Sequence, residues 1–242
     1  DGIHAAGLKS RKRGSSMKRS EINAALTWAK ELLARYDIRL PDFAYWTMDE
    51  WRAHKTEIGA IQRTMQGWDI TDYGTGKYDE IGCVLFTVRN GIQDDPSVGV
   101  PYCEKYLLFR EGQRLPKHYH VFKTEDIIVR AGGEMAIRLF ACDASGRETG
   151  EPVRIFRDGI PHTYASGETF YVSAGNSVTL TPYMAHIFGT REGTGDLICG
   201  EVSRVNDDHT DNFFLEQTAR FAEIEEDEPI LHPLCNEYER VL

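Results

Sequence analysis

From Gly67 onward the chain is cut into short runs rich in Val, Ile, Phe and Tyr, separated by Gly, Pro, Asn and Asp. Runs of that length and composition read as strands, and the residues between them supply turns. Strands are expected over 84–89, 105–110, 115–120, 126–131, 135–141, 153–156, 162–165, 169–172, 177–180, 186–189 and 197–202. Many short strands at such close spacing make an all-β dominated sandwich or barrel. The 242 residues suit one large domain or one barrel with appended helices.

The segment before this region reads as helical. Ser20 is placed to cap a helix running to about Arg35, with Ile22, Ala25, Leu26, Ala29, Leu32 and Leu33 forming one apolar stripe. Thr47-Met48-Asp49-Glu50 is a capping-box pattern opening a shorter helix that contains Trp51. Residues 17–66 are therefore expected as a helical segment packed on a sheet, with 67–242 as the β domain. A third helix is expected around 214–222, followed by an acidic surface run at 223–228. Residues 1–16 carry Lys9, Arg11, Lys12 and Arg13 with no apolar stretch, so they are not a secretory signal. They are expected to be a flexible, artificially appended leader before a native start at Met17.

Composition excludes several roles. A net charge of −10 repels nucleic-acid phosphate and anionic membrane surfaces. No apolar run approaches the roughly 18 residues of a spanning helix. Cys83, Cys103, Cys142, Cys199 and Cys235 are odd in number and never in a CxxC pair, which argues against a disulfide framework or a zinc ribbon. They read as reduced, mostly buried thiols of a cytoplasmic protein.

One stretch, from Gly112 to Gly132, carries chemistry. His118 and His120 are two apart on an expected strand, so they share a face with Cβ atoms roughly 6–7 Å apart, close enough to bind one ion. Glu125 opens the next strand after a short turn and is placed to bend back beside them. A fourth ligand is expected in His186, which follows a glycine turn at Gly175, a strand, and a bend at Pro182. Imidazole plus carboxylate suits one divalent Mn, Fe, Co, Ni or Zn.

The pattern G-x5-H-x-H-x4-E-x6-G, followed by G…P-x3-H, resembles the two motifs of the cupin superfamily. There, three histidines and a glutamate hold a metal inside a small antiparallel barrel. The resemblance implies a cupin (jelly-roll) antiparallel β-barrel with N-terminal helices and a short C-terminal helix. Where cupins usually carry P-x-G before the last histidine, this chain has Pro182-Tyr-Met. The blocks Gly67-Trp-Asp-Ile-Thr-Asp-Tyr-Gly, Arg89-Asn-Gly, Glu104-Lys-Tyr, Lys123-Thr-Glu-Asp-Ile-Ile and Gly200-Glu-Val-Ser-Arg-Val-Asn-Asp-Asp-His-Thr-Asp-Asn-Phe-Phe further resemble bacterial D-lyxose isomerases, from about Met17 to the C-terminus. That resemblance implies interconversion of D-lyxose with D-xylulose and of D-mannose with D-fructose, with Mn²⁺ as the usual metal.

Moving a proton between C1 and C2 of a free aldose needs a carboxylate and a group to steady the developing charge. Glu201, following the apolar 197–200 strand, is the candidate base; with the opposite parity it would face solvent and Val202 would point inward. Lys105 alternates with Leu107 and Phe109 and is the candidate acid, unless Tyr106 and Leu108 form the inner face instead. Lys117, Lys123, Gln113 and Asp211 are candidates for binding sugar hydroxyls, although lysines in loops are more often simply solvated. No glycine-rich anion cradle or arginine cluster suggests a phosphorylated sugar. The competing readings are an Fe(II) cupin dioxygenase and a non-catalytic sugar-binding cupin. Open sheet edges lead to the expectation of a homodimer.

Overall fold

The computed structural model describes residues 16–208, 210–216, 220 and 223–242. The strands are β1 (Ser16–Lys18), β2 (Gly67–Thr71), β3 (Cys83–Ile92), β4 (Asp95–Phe109), β5 (His118–Tyr119), β6 (Glu125–Gly132), β7 (Met135–Ala141) and β8 (Val153–Arg157). They continue with β9 (Ile160–Tyr164), β10 (Thr169–Val172), β11 (Ser177–Leu180), β12 (Met184–Thr190), β13 (Leu197–Arg204), β14 (Phe213–Phe214) and β15 (Glu223–Glu225). The α-helices are α1 (Arg19–Arg35), α2 (Met48–Ala53), α3 (Gly59–Arg63) and α4 (Tyr238–Val241).

Two main sheets carry the fold, in the orders β2-β3-β4-β13-β6-β11-β8-β9 and β10-β7-β12-β5-β14. Every strand pairing within them is antiparallel, and the small β1–β15 ribbon is parallel. Leu107, Phe109, Ile127, Val129, Leu197 and Cys199 of the larger sheet and Ile137, Leu139, Val172 and Phe188 of the smaller belong to one buried cluster. The core therefore lies between the sheets, the double-layer form of a jelly roll. Ladder hydrogen bonding does not run unbroken from one sheet into the other among the described residues.

Strand parity explains why the middle of the larger sheet is apolar on both faces. Cys83, Leu85, Leu107 and Phe109 point into the core. Val84, Phe86, Leu108 and Ile198, one residue out of phase, pack under α1 against Ile22, Leu26, Ala29 and Leu33. The stripe read from the sequence is the buried face of α1. Its N-terminus differs from the expectation: the amide of Lys18, not a Ser20 cap, is satisfied by Glu21 at 2.9 Å, and Ser20 instead bonds Asp227. Arg19, fully buried, ties α1 to the C-terminal region through Glu226 and Glu237. The α2 capping box forms as read, with Thr47 and Glu50 each satisfying the other's amide.

Three differences have local causes. β5 is shorter than the expected 115–120 strand, because Pro116 has no N–H to give a ladder. β4 begins at Asp95, well before 105; Pro96, Gly99 and Pro101 disguise a long irregular hairpin arm. The helix expected at 214–222 is not seen in its described part, since Phe213–Phe214 forms β14 against β5; 217–219, 221 and 222 lie outside the described residues. The leader expected over 1–16 also lies outside them, apart from Ser16 in β1.

Candidate metal centre and active site

The antiparallel pairing of β5 with β12 sets His118 directly opposite His186. His120 follows one residue beyond β5, and Glu125 is the first residue of β6. All four are buried, at 7% exposure or less. The ligand nitrogens of the three histidines lie within 4.8 Å of one another. Glu125 Oε1 sits 3.4 Å from Nε2 of both His120 and His186.

The hydrogen bonds behind these rings decide their chemistry. His118 Nδ1 donates to Pro116 O at 2.9 Å, His186 Nδ1 to Met184 O at 3.0 Å, and His120 Nδ1 to Asp211 O. A carbonyl only accepts, so each Nδ1 carries the proton and each Nε2 turns a lone pair inward. His118 Nε2 and His186 Nε2 are 3.0 Å apart, two lone pairs facing each other. His120 Nε2 and Glu125 Oε1 have no hydrogen-bond partner among the described residues. Inward lone pairs at this spacing, beside a carboxylate, fit a cation and little else. Burial pushes His118 well below its ordinary value and His186 down to about 4, so both rings are neutral at pH 7, as ligands must be.

The departure from P-x-G leaves the loop intact. Tyr183 adopts the left-handed conformation at φ 60°, and its amide donates to His120 O at 2.8 Å. Gly132, the last glycine of the first motif, has φ 84°, and a Cβ there would meet Asp196 O at 2.1 Å.

Beside the histidines runs a buried chain of charges. Lys123 Nζ lies 2.9 Å from Glu125 Oε2 and 2.8 Å from Glu201 Oε1, and donates to Asn206 Oδ1 at 3.0 Å. Lys105 is the direct cross-strand partner of Glu201, with Nζ 3.7 Å from Glu201 Oε1. Glu201 is 4% exposed whereas Val202 is 39% exposed, so Glu201 faces inward. Burial opposes charge on Glu201, but Lys105 and Lys123 together pull its carboxyl below the usual range. The same opposition at Glu125, with Lys123 nearest, leaves that carboxyl well below it. Lys105 and Lys123 are correspondingly raised against the cost of burial.

His118, His120, Lys123, Glu125, Lys105 and Glu201 line a cavity of about 30 Å³. It adjoins a cleft of about 190 Å³, with Leu85, Lys105, Asp208 and Arg220 lining both. Asp208 and Asp69 both bond Arg220, at 2.9 and 2.6 Å.

Three sequence candidates are placed elsewhere. Gln113 is buried, but its amide is engaged by Arg110 N and Tyr78 O, so it braces a turn. Lys117 lies over the Phe140 ring and pairs with Glu148 at 2.5 Å. The Asp211 carboxylate accepts backbone amides rather than facing the cavity. Sequence reading did not single out Tyr73, Asp208 and Arg220, which line the cavity, or Asp69, which lines the cleft. A buried aspartate in β2 was detectable in principle, because Asp69 sits within an all-buried strand; Arg220 had no local signal.

Residues 17–238 match the D-lyxose isomerase family. The chain belongs to that family. A D-lyxose/D-mannose isomerase of Serratia proteamaculans is 37% identical over 227 residues, covering 93% of this chain and 100% of the relative. Among solved structures, the L-ribose isomerase of Cellulomonas parahominis with L-ribose superposes at TM-score 0.53 and 17% identity, over 88% of this chain and 100% of the other. That of Geodermatophilus obscurus gives 0.52 and 17%, over 88% and 100%. At such identity these likenesses speak for the cupin-like fold alone. Within this D-lyxose isomerase family member, the candidate metal centre lies at the inner end of the adjoining cleft.

Proposed function

We propose that the chain interconverts free aldoses and ketoses, D-lyxose with D-xylulose and D-mannose with D-fructose, on one divalent metal held by His118, His120, Glu125 and His186. The observation that carries this reading is the adjacency of Glu201 to the imidazole cluster within one small buried cavity. A bound divalent cation would supply Lewis-acid polarisation of the sugar's carbonyl and neighbouring hydroxyl. Mn²⁺ is the proposed ion.

The protein's own residues do the rest. Glu201, kept ionised by two ammonium groups, takes the proton from C2 of the aldose and returns it to C1. Lys105, raised and therefore protonated, gives a proton to O1 as charge develops there and is restored by the proton that leaves the C2 hydroxyl as the ketose carbonyl forms. The sugar's remaining hydroxyls extend toward the cleft, where Asp208 accepts hydrogen bonds. A cavity wall of Lys105, Lys123, Glu201 and Asp208 suits a polyol and disfavours the apolar substrate of a dioxygenase. Lys117, Gln113 and Asp211 are withdrawn as sugar contacts.

The test is the Mn²⁺-supplied protein incubated with a panel of pentoses and hexoses. Ketose should form from D-lyxose and D-mannose, which share their configuration at C2 to C4. Turnover of neither, with oxygen consumed instead, would refute the reading. A homodimer is also proposed: the outer edge of β9 exposes Ile160 at 61%, an apolar edge that supports pairing with a second chain.

A further inference from the structure

The loop between His120 and Glu125, which crosses from β5 in one sheet to β6 in the other, joins two of the proposed metal ligands and carries Lys123 between them. Its backbone is held in an unusual way. The amides of Val121, Phe122 and Lys123 all donate to one carboxylate, that of Asp211: Oδ1 at 2.7 and 2.9 Å, Oδ2 at 2.8 Å. Three successive N–H groups turned to one anion form an anion nest, with charge-assisted bonds stronger than ordinary amide–carbonyl ones. The same residue's carbonyl accepts the Nδ1 proton of His120. Asp211 is nearly buried, at 9% exposure, and does not line the cavity.

We propose that Asp211 is a positioning residue that locks the metal's ligands and the base into one rigid unit. One grip, through its carbonyl, fixes the tautomer and rotation of His120. The other, through its carboxylate, fixes the loop from which Lys123 reaches both Glu125 and Glu201. Because both grips belong to one residue, movement of the loop is transmitted to His120, and the reverse. Metal affinity and loop order are therefore linked in both directions. The inference rests on the proposed ligand set, and adds a control that neither motif contains.

Asp211→Asn isolates the second grip. It keeps the carbonyl and the shape but presents an NH₂ group where one amide needs an acceptor. Expected are a loss of Mn²⁺ affinity of about 10-fold or more, in the range seen when a ligand's supporting partner is lost, and a fall in kcat. KM for the sugar at saturating metal should stay within about threefold. A raised KM with unchanged metal affinity would make Asp211 a sugar contact and overturn the proposal; so would unchanged metal affinity and kcat in a folded variant. The wild-type protein gives a second reading that needs no variant. Hydrogen exchange at the amides of Val121, Phe122 and Lys123 should slow on Mn²⁺ addition by about 10-fold or more, and equal rates with and without the ion would also overturn it. If wild type binds no Mn²⁺ at all, the metal reading itself has failed, which is a separate outcome.

Discussion

Glu201→Gln should lower kcat by about a thousandfold, near the middle of the range for removing a general base, while leaving sugar and Mn²⁺ binding nearly unchanged. The amide keeps the shape and the hydrogen bond to Lys123 Nζ now made at 2.8 Å, but cannot accept a proton from carbon. Glu201 is none of the proposed metal ligands, so metal content should hold. The comparison separates an isomerase from a sugar-binding cupin. Steady-state kinetics with isothermal titration of sugar and metal would measure all three quantities; turnover within tenfold of wild type would assign the base elsewhere.

The second large effect concerns stability. Lys123 is 4% exposed and stands between two buried carboxylates. Lys123→Met leaves Glu125 and Glu201 facing each other with Lys105 as the remaining nearby ammonium. Removing one partner of a buried ion pair costs roughly 3–5 kcal/mol, and in a chain of this size that is roughly 6–20 °C in Tm. The loss should be greatest in metal-free protein, because a divalent cation beside Glu125 restores part of the missing positive charge. Thermal unfolding with and without Mn²⁺ tests this: equal losses in both states would mean that Lys123 and the ion do not share the charge of Glu125.

Much of this was legible in the sequence where the signal is local. The α1 stripe, the Thr47 capping box and most strands follow from periodicity and turn residues. His118, His120 and Glu125 were placed together because two-residue spacing and a short turn leave few other geometries. His186 joined them as the histidine that follows a glycine turn, a strand and a proline bend, and its position opposite His118 is a matter of strand register that no spacing encodes. Parity gave Glu201 and Lys105 two options each; the register that pairs them, with α1 covering Leu108 and Ile198, settles both inward.

What failed depends on distant partners. Gln113 beside a metal motif reads like a substrate contact, yet Tyr78, far along the chain, occupies its amide. Asp211 reads like a sugar ligand in a polar loop, and its actual work lies in amides some ninety residues away. Arg220 is aligned by partners far from it in sequence, Asp69, Thr71 and the nearer Asp208 among them. Phe213 and Phe214 carry no alternation long enough to reveal a two-residue strand.

The central claim is that one cation, held by His118, His120, Glu125 and His186, makes the cavity a catalyst. The direct measurement is ketose formation from D-lyxose by protein stripped of metal and titrated with Mn²⁺. Activity should be negligible at the start and rise linearly to a plateau at one ion per chain. Full activity in the stripped protein, or a plateau unrelated to one bound ion, would contradict the account.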